Sequence, residues 1–153
     1  MIRQRNLSVV LLSFLLVILP LTASDLSAHS GVLKKEVSVR MTLMSNMACS
    51  MDVLGKMLKK KKPFDRGKVV DAINTIEELA IKTPGAFRKK VLDTKSDAKV
   101  LVWEEFPTFT KTSIDLATRA NQLSISMKSF NDLRPALITL SQGCKTCHSK
   151  FRE

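Results

Sequence analysis

Acidic side chains are scarce in this chain of 153 residues, with 14 Asp and Glu against 25 Lys and Arg. Aromatic residues are scarce too, only 5%, and none is interleaved among the lysines, which argues against a nucleic-acid surface. The positive excess fits an acidic protein partner or contact with an anionic membrane surface, set against a plain solvated coat. A long apolar run is missing. LSVVLLSFLLVIL covers thirteen residues, from Leu7 to Leu19, where roughly 20 are needed to span a bilayer. Arg3 and Arg5 precede it, Pro20 follows it, and small residues stand at Thr22, Ala23, Ser24 and Ala28. That is the layout of an export leader. Residues 1–28 are read as a signal peptide cut somewhere within 23–28, and residues 29–153 as one domain delivered to the periplasm. Without Arg3, Arg5 and Asp25 the balance is 23 basic against 13 acidic residues, a charge of +10.

Alternating strand patterns and internal repeats are also absent. No proline interrupts 33–58, and Leu33, Val37, Met41, Met44, Met47, Ala48, Met51, Gly55 and Leu58 fall on one side of a helix at 100° per residue. Lysines 59–62 suit the negative end of its dipole, and Pro63 is expected to stop it. Asp65 is a candidate cap for a second helix with Val69, Ile73, Ile76 and Ala80 inward, broken at Pro84 and Gly85. Residues 89–99 form a polar surface connector. A third helix lies within 97–123, with Trp103, Phe106, Thr110, Ile114 and Ala117 on one side; Pro107 either kinks it or sits in its first turn. A fourth begins near Asn131 or Asp132, with the stripe Leu133, Leu137, Leu140, Cys144, Cys147 and Phe151. Four amphipathic helices with mostly short links predict an all-α, antiparallel four-helix bundle.

Cysteine and histidine are the rarest reactive residues, three and two, yet the chain ends in GCKTCHSKFRE. Cys-x-x-Cys-His is the attachment signature of a c-type haem. Three residues apart on a helix, the Cys144 and Cys147 thiols face one side and can add to two vinyl groups, while His148 offers its imidazole to the iron. A low-pKa dithiol would sit at a helix N-terminus, a zinc site needs four ligands, and a simple disulfide leaves His148 without a role. Cys49, on an apolar helix, is expected to be a half-buried thiol, with an intersubunit disulfide as its alternative. His29 falls near the mature N-terminus.

A leader, four helices and this motif in the last dozen residues together resemble the cytochrome c′ superfamily, the class II c-type cytochromes. The likeness rests on CKTCHSKFR, on VRMTLM in the first helix, and on WEEFPTF, whose Trp103 and Phe109 are similar to the family's aromatic pair. Phe87 matches as well, whereas Pro84 stands where the family has an aromatic. The resemblance implies that Arg40 lies near a haem propionate, that Met44 sits over the open face of the iron, and that Arg152 lies near the proximal imidazole. It also implies one covalent haem c and allows a homodimer through the first two helices.

Methionine at 44 resembles the low-spin cytochrome c-556 branch, in which a His/Met pair serves electron transfer. Two readings stay open. Methionines on a helical stripe also serve as core fillers, and Met41 or Met47 could supply the sulfur. Without a sulfur ligand the iron would be five-coordinate and would bind NO or CO for sequestration or sensing. No acid/base pair is evident, so the expectation is a carrier and not an enzyme. Lysines 59–62 together with Arg88, Lys89 and Lys90 are a candidate docking face for an acidic redox partner.

Overall fold

Without proline to interrupt it, the first amphipathic segment folds as helix α1, Lys35–Leu58, in a computed structural model that describes residues 34–153. The leader, His29 and Leu33 lie outside the described residues. Helix α1 ends before Pro63 is reached. Lys60 turns left-handed (φ 56), its N–H donates to the Met57 carbonyl at 3.0 Å, and the Lys61 N–H donates to the Lys56 carbonyl at 2.9 Å. This Schellman closure satisfies carbonyls that the last turn leaves open. The buried residues of α1 are Val37, Arg40, Met47, Ser50, Leu54 and Met57, centred roughly 70° from the expected stripe on the helical wheel. Met41 is 48% exposed. The stripe is shared between two surfaces: Met47 enters the core and Leu58 packs against it, while Met44, Ala48 and Met51 line a cavity; Leu54 and Met57, outside the stripe, are core residues.

Asp65 caps helix α2, Arg66–Phe87, by accepting the Lys68 N–H at 3.1 Å. The expected break at Pro84 and Gly85 does not occur. Proline has no N–H for the carbonyl four residues back, here that of Ala80, and this oxygen accepts the Ser113 hydroxyl at 2.8 Å. A tertiary hydrogen bond replaces the missing helical one, and α2 runs on to Phe87. The connector that follows is largely exposed, as its polarity predicts.

The third helix is divided into a single turn, α3, Leu101–Glu104, and a long helix, α4, Phe106–Ser126, with Pro107 in the first turn of α4. Ile114 is 40% exposed instead of inward. The buried side of α4 holds the small residues Ser113, Ala117, Ala120 and Ser124, which leave room for α2 to pack alongside. Hydrogen bonds from Asn121 to Glu77 and from Ser124 to Asn74 set the register of that pair. Helix α5, Phe130–Phe151, starts at a capping box in which the Ser129 N–H donates to Asp132 at 2.7 Å.

Helices α1, α2, α4 and α5 pack in a ring of neighbours, α1–α2, α2–α4, α4–α5 and α5–α1. This is the antiparallel up-down-up-down bundle that the sequence predicts. Leu54, Ile73, Ile76, Leu133 and Leu140 are fully buried in its core. A separate cluster of Phe87, Val102, Phe109 and Phe151 fills one end. Among the described residues no helix is long and apolar enough to cross a membrane.

The antiparallel order separates two groups of cations. Lys34 Nζ donates to the Leu92 carbonyl at 2.8 Å and Lys89 pairs with Glu36 at 2.6 Å, so the start of α1 lies beside the end of α2. Lysines 59–62 lie at the other end of a helix that rises about 36 Å over its length. The single docking face expected from lysines 59–62 and Arg88, Lys89 and Lys90 therefore does not form.

Candidate functional site

Helix α5 carries Cys144, Cys147 and His148 to the wall of an apolar cavity of about 360 Å³, within the roughly 300–1,000 Å³ range of cofactor and ligand sites. Met44, Met47, Ala48 and Met51 of α1 form another wall, and Thr83, Thr112, Ser113 and Leu116 of α2 and α4 complete it. Two larger but more open depressions, about 600 and 560 Å³, lie where the start of α1 meets residues 85–92. Neither contains a cysteine, histidine or methionine, so the chemistry belongs to the smaller and more enclosed cavity.

Both α5 cysteines are free and half-buried. Burial raises the pKa of Cys144; for Cys147 burial, with Cys144 adding to it, pushes the value up to about 11. The pair is held as neutral thiols, the reverse of the depressed pKa of a reactive dithiol. Burial, and then the charge of Arg152, lowers the pKa of His148. Its imidazole is therefore neutral at neutral pH, the form that donates a lone pair to a metal. Among the described residues no three His, Cys, Asp or Glu side chains are grouped to hold a metal ion, and Cys49 is exposed on α1 instead of half-buried. The donor set thus suits a haem joined through two thioethers and ligated by one histidine better than a zinc ion.

Three methionines reach the cavity. Met44 is half-buried there, Met47 lines it while packing into the core, and Met51, a stripe residue not named among the alternative sulfur donors, lines it too. Met41 points elsewhere and drops out as an alternative donor. The two arginines stand beside the cavity and not on its wall. Arg40 is only 3% exposed. Its Nε donates to the Ala86 carbonyl at 3.1 Å, Nη1 to Val91 at 2.8 Å and Nη2 to Lys89 at 2.6 Å. The guanidinium also lies 4.6 Å from the Phe87 ring centroid and 5.1 Å from that of Trp103. Its visible work is to gather the carbonyls at the end of α2, a role the motif comparison did not suggest. Arg152 pairs with Asp97 at 2.8 Å, and its backbone N–H donates to the His148 carbonyl at 3.1 Å.

The connector holds the cysteine-bearing end of α5 in place. Lys99 N–H donates to the Phe151 carbonyl at 3.0 Å and Glu153 N–H to that of Asp97 at 2.8 Å. Behind the cysteines, Phe151 meets Phe109 at 5.3 Å between centroids, Phe109 meets Phe87 at 5.0 Å, and the Trp103 indole N–H donates to the Phe87 carbonyl at 2.7 Å. Periodicity missed the small polar walls Thr83, Thr112 and Ser113 because it follows apolar residues. It also missed Gly143, where a Cβ would come within 2.8 Å of Leu116 Cδ1, so glycine lets α4 and α5 meet just before Cys144. Pro84 stays inside α2, and its neighbour Thr83 reaches the cavity.

Comparison with known proteins agrees with this geometry. The chain is 28% identical to cytochrome c-556 of Rhodopseudomonas palustris over 140 residues, covering 88% of this chain and 91% of that one. It is 31% identical to cytochrome c-556 of Agrobacterium fabrum over 118 residues, 76% of this chain and 80% of the relative. The NMR-validated structure of oxidized cytochrome c556 from R. palustris superposes with a TM-score of 0.72 at 26% identity, covering 79% of this chain and 98% of that one. The family described as Cytochrome C′ matches residues 35–152, from the start of α1 to the cap of α5, and the chain belongs to that family, whose cofactor is covalently bound haem c.

Proposed function

We propose that the protein is a periplasmic monohaem electron carrier, with haem c held through Cys144 and Cys147, His148 as proximal ligand and Met44 as distal ligand. The observation that carries this reading is the shared cavity, in which a neutral, half-buried imidazole from α5 faces the same space as thioether sulfurs from α1. The c-556 relatives support it. The haem supplies an iron centre that gains or loses one electron. The chain holds the donors on separate helices of a packed bundle, so neither ligand needs to move when the charge changes. Apolar walls disfavour the additional positive charge of the oxidised state, and the nearby cations Arg152 and Arg40 act in the same direction. Among the described residues no carboxylate lines the cavity, which favours a carrier over an enzyme that moves protons. The leader read from residues 1–28 supports export.

The competing arrangement keeps all three methionines as packing, leaving a five-coordinate iron open to NO or CO. Absorption spectra of the holoprotein, ferric and ferrous, with and without CO, separate the two. The carrier reading expects a low-spin spectrum with a methionine-to-iron charge-transfer band, little changed by CO. Met44→Leu is then expected to become high-spin and to bind CO readily. A wild-type spectrum that is high-spin and shifts with CO would move the function to gas binding. A low-spin spectrum unchanged in Met44→Leu would transfer the distal role to Met47 or Met51.

A further inference from the structure

The two open depressions at the cofactor end of the bundle adjoin, because Glu36 and Lys89 line both. Among the described residues five cations stand around them, Lys34, Lys35, Arg88, Lys89 and Lys90, against the single carboxylate of Glu36, which pairs with Lys89. Between the cations lie exposed apolar side chains, Val39 at 44% and Leu92 at 45% exposure. A small apolar centre ringed by like charges is the make-up of a surface that meets its opposite briefly and in a preferred orientation. The floor is firm, because Arg40 ties the carbonyls of Ala86, Lys89 and Val91 together beneath it.

The position matters as much as the charge. Ala86 and Arg88 flank Phe87, whose ring packs on Phe109, which in turn meets Phe151; Cys147 packs against the same cluster. Packed side chains therefore run without interruption from the depressions to a cysteine of the cavity. Lysines 59–62 offer a denser run of charge but begin eight residues beyond Met51, the last α1 residue on the cavity, a rise of about 12 Å, whereas Val39 at the centre of the rim lies five residues before Met44, the first, a rise of about 7.5 Å. Charge alone would favour that far end; electronic contact favours the near one.

We propose that the rim of Lys35, Arg88, Lys89 and Lys90 around Val39 and Leu92 is the docking surface for an acidic redox protein, and that lysines 59–62 are not. This rests on the electron-carrier reading. The partner presents carboxylates to the rim and an apolar contact to its centre.

The test uses holoprotein on gold electrodes coated with a carboxylate-terminated monolayer, which stands in for the acidic partner. Two double variants change net charge equally, Arg88→Glu with Lys90→Glu, and Lys59→Glu with Lys61→Glu. At low salt the first is expected to lose about tenfold in voltammetric electron-transfer rate and most of its salt dependence, while the second stays within about twofold of the wild type. Equal losses in both, or a larger loss in the second, overturn the proposal. Surface coverage, read by quartz microbalance, compares the same variants without needing electron transfer, so failure of the carrier reading and failure of the docking surface are distinguishable. Pelleting with phosphatidylglycerol vesicles that is abolished only in Arg88→Glu with Lys90→Glu would assign the rim to a membrane and also overturn it.

Discussion

At the scale of single residues, the pairing of Pro84 with Ser113 shows how a local rule is overruled at a distance. A proline inside a helix is costly because it strands a carbonyl and crowds the preceding turn. The Ser113 hydroxyl answers the first part of that cost at Ala80. Ser113→Ala is expected to destabilise the protein by about 1–2 kcal/mol, read as a shift in denaturation midpoint, because it leaves a buried carbonyl unsatisfied. In a Pro84→Ala background the same change should cost much less, since the backbone N–H regained at position 84 can then serve that oxygen. A double-mutant cycle showing no coupling between the two sites would refute this account. Arg40 teaches a related lesson, since its place beside Met44 on the helical wheel says nothing about which oxygens its guanidinium will find.

At the scale of elements, the helix ends carry most of the local information. Asp65 caps α2 as its position before the apolar period predicts, and Ser129 with Asp132 caps α5. The end of α1 is less economical. Lys60 adopts a left-handed conformation that costs a residue with a Cβ about 1–2 kcal/mol and glycine very little. Lys60→Gly is expected to stabilise the protein by about 1 kcal/mol, part of the gain being offset by the freer unfolded chain. Thermal denaturation of the holoprotein measures it, and a lowered melting temperature would contradict the Schellman geometry.

At the scale of the whole molecule, half-buried carboxylates secure the helix ends, Asp65 and Asp132 within their own helices and Glu36 across from α1 to Lys89. Glu36 is held below its usual value of 4.5 chiefly by its hydrogen bond from Lys89; Asp65 and Asp132 are held below 3.8 chiefly by the backbone N–H groups of Lys68 and Ser129. A depressed carboxylate contributes stability that is present above its unfolded value and is lost as pH falls through the folded one. In the holoprotein, where ligation would keep His148 from taking up a proton, melting temperature should therefore hold steady from neutral pH down to the ordinary carboxylate range of 3.8–4.5 and fall below it. Asp132→Asn should blunt the fall, and a decline that begins near pH 6 would point to a different group.

Four helices, the Asp65 cap and the Cys144, Cys147 and His148 constellation were legible in the sequence because each depends on residues within a turn or two of one another. Apolar period, capping side chains and the three-residue cysteine spacing are all short-range quantities, and the bundle and the covalent cofactor follow from them. Tertiary structure alone decided the rest. It turned α1 so that Met44 and Met51 face a cavity while Met41 faces solvent, carried α2 through Pro84, engaged Arg40 with three carbonyls, and placed the two lysine groups at opposite ends. Each of these outcomes depends on what a neighbouring helix offers, an acceptor, a donor or an unfilled volume, and no periodicity within one segment encodes the partner that another segment brings to it.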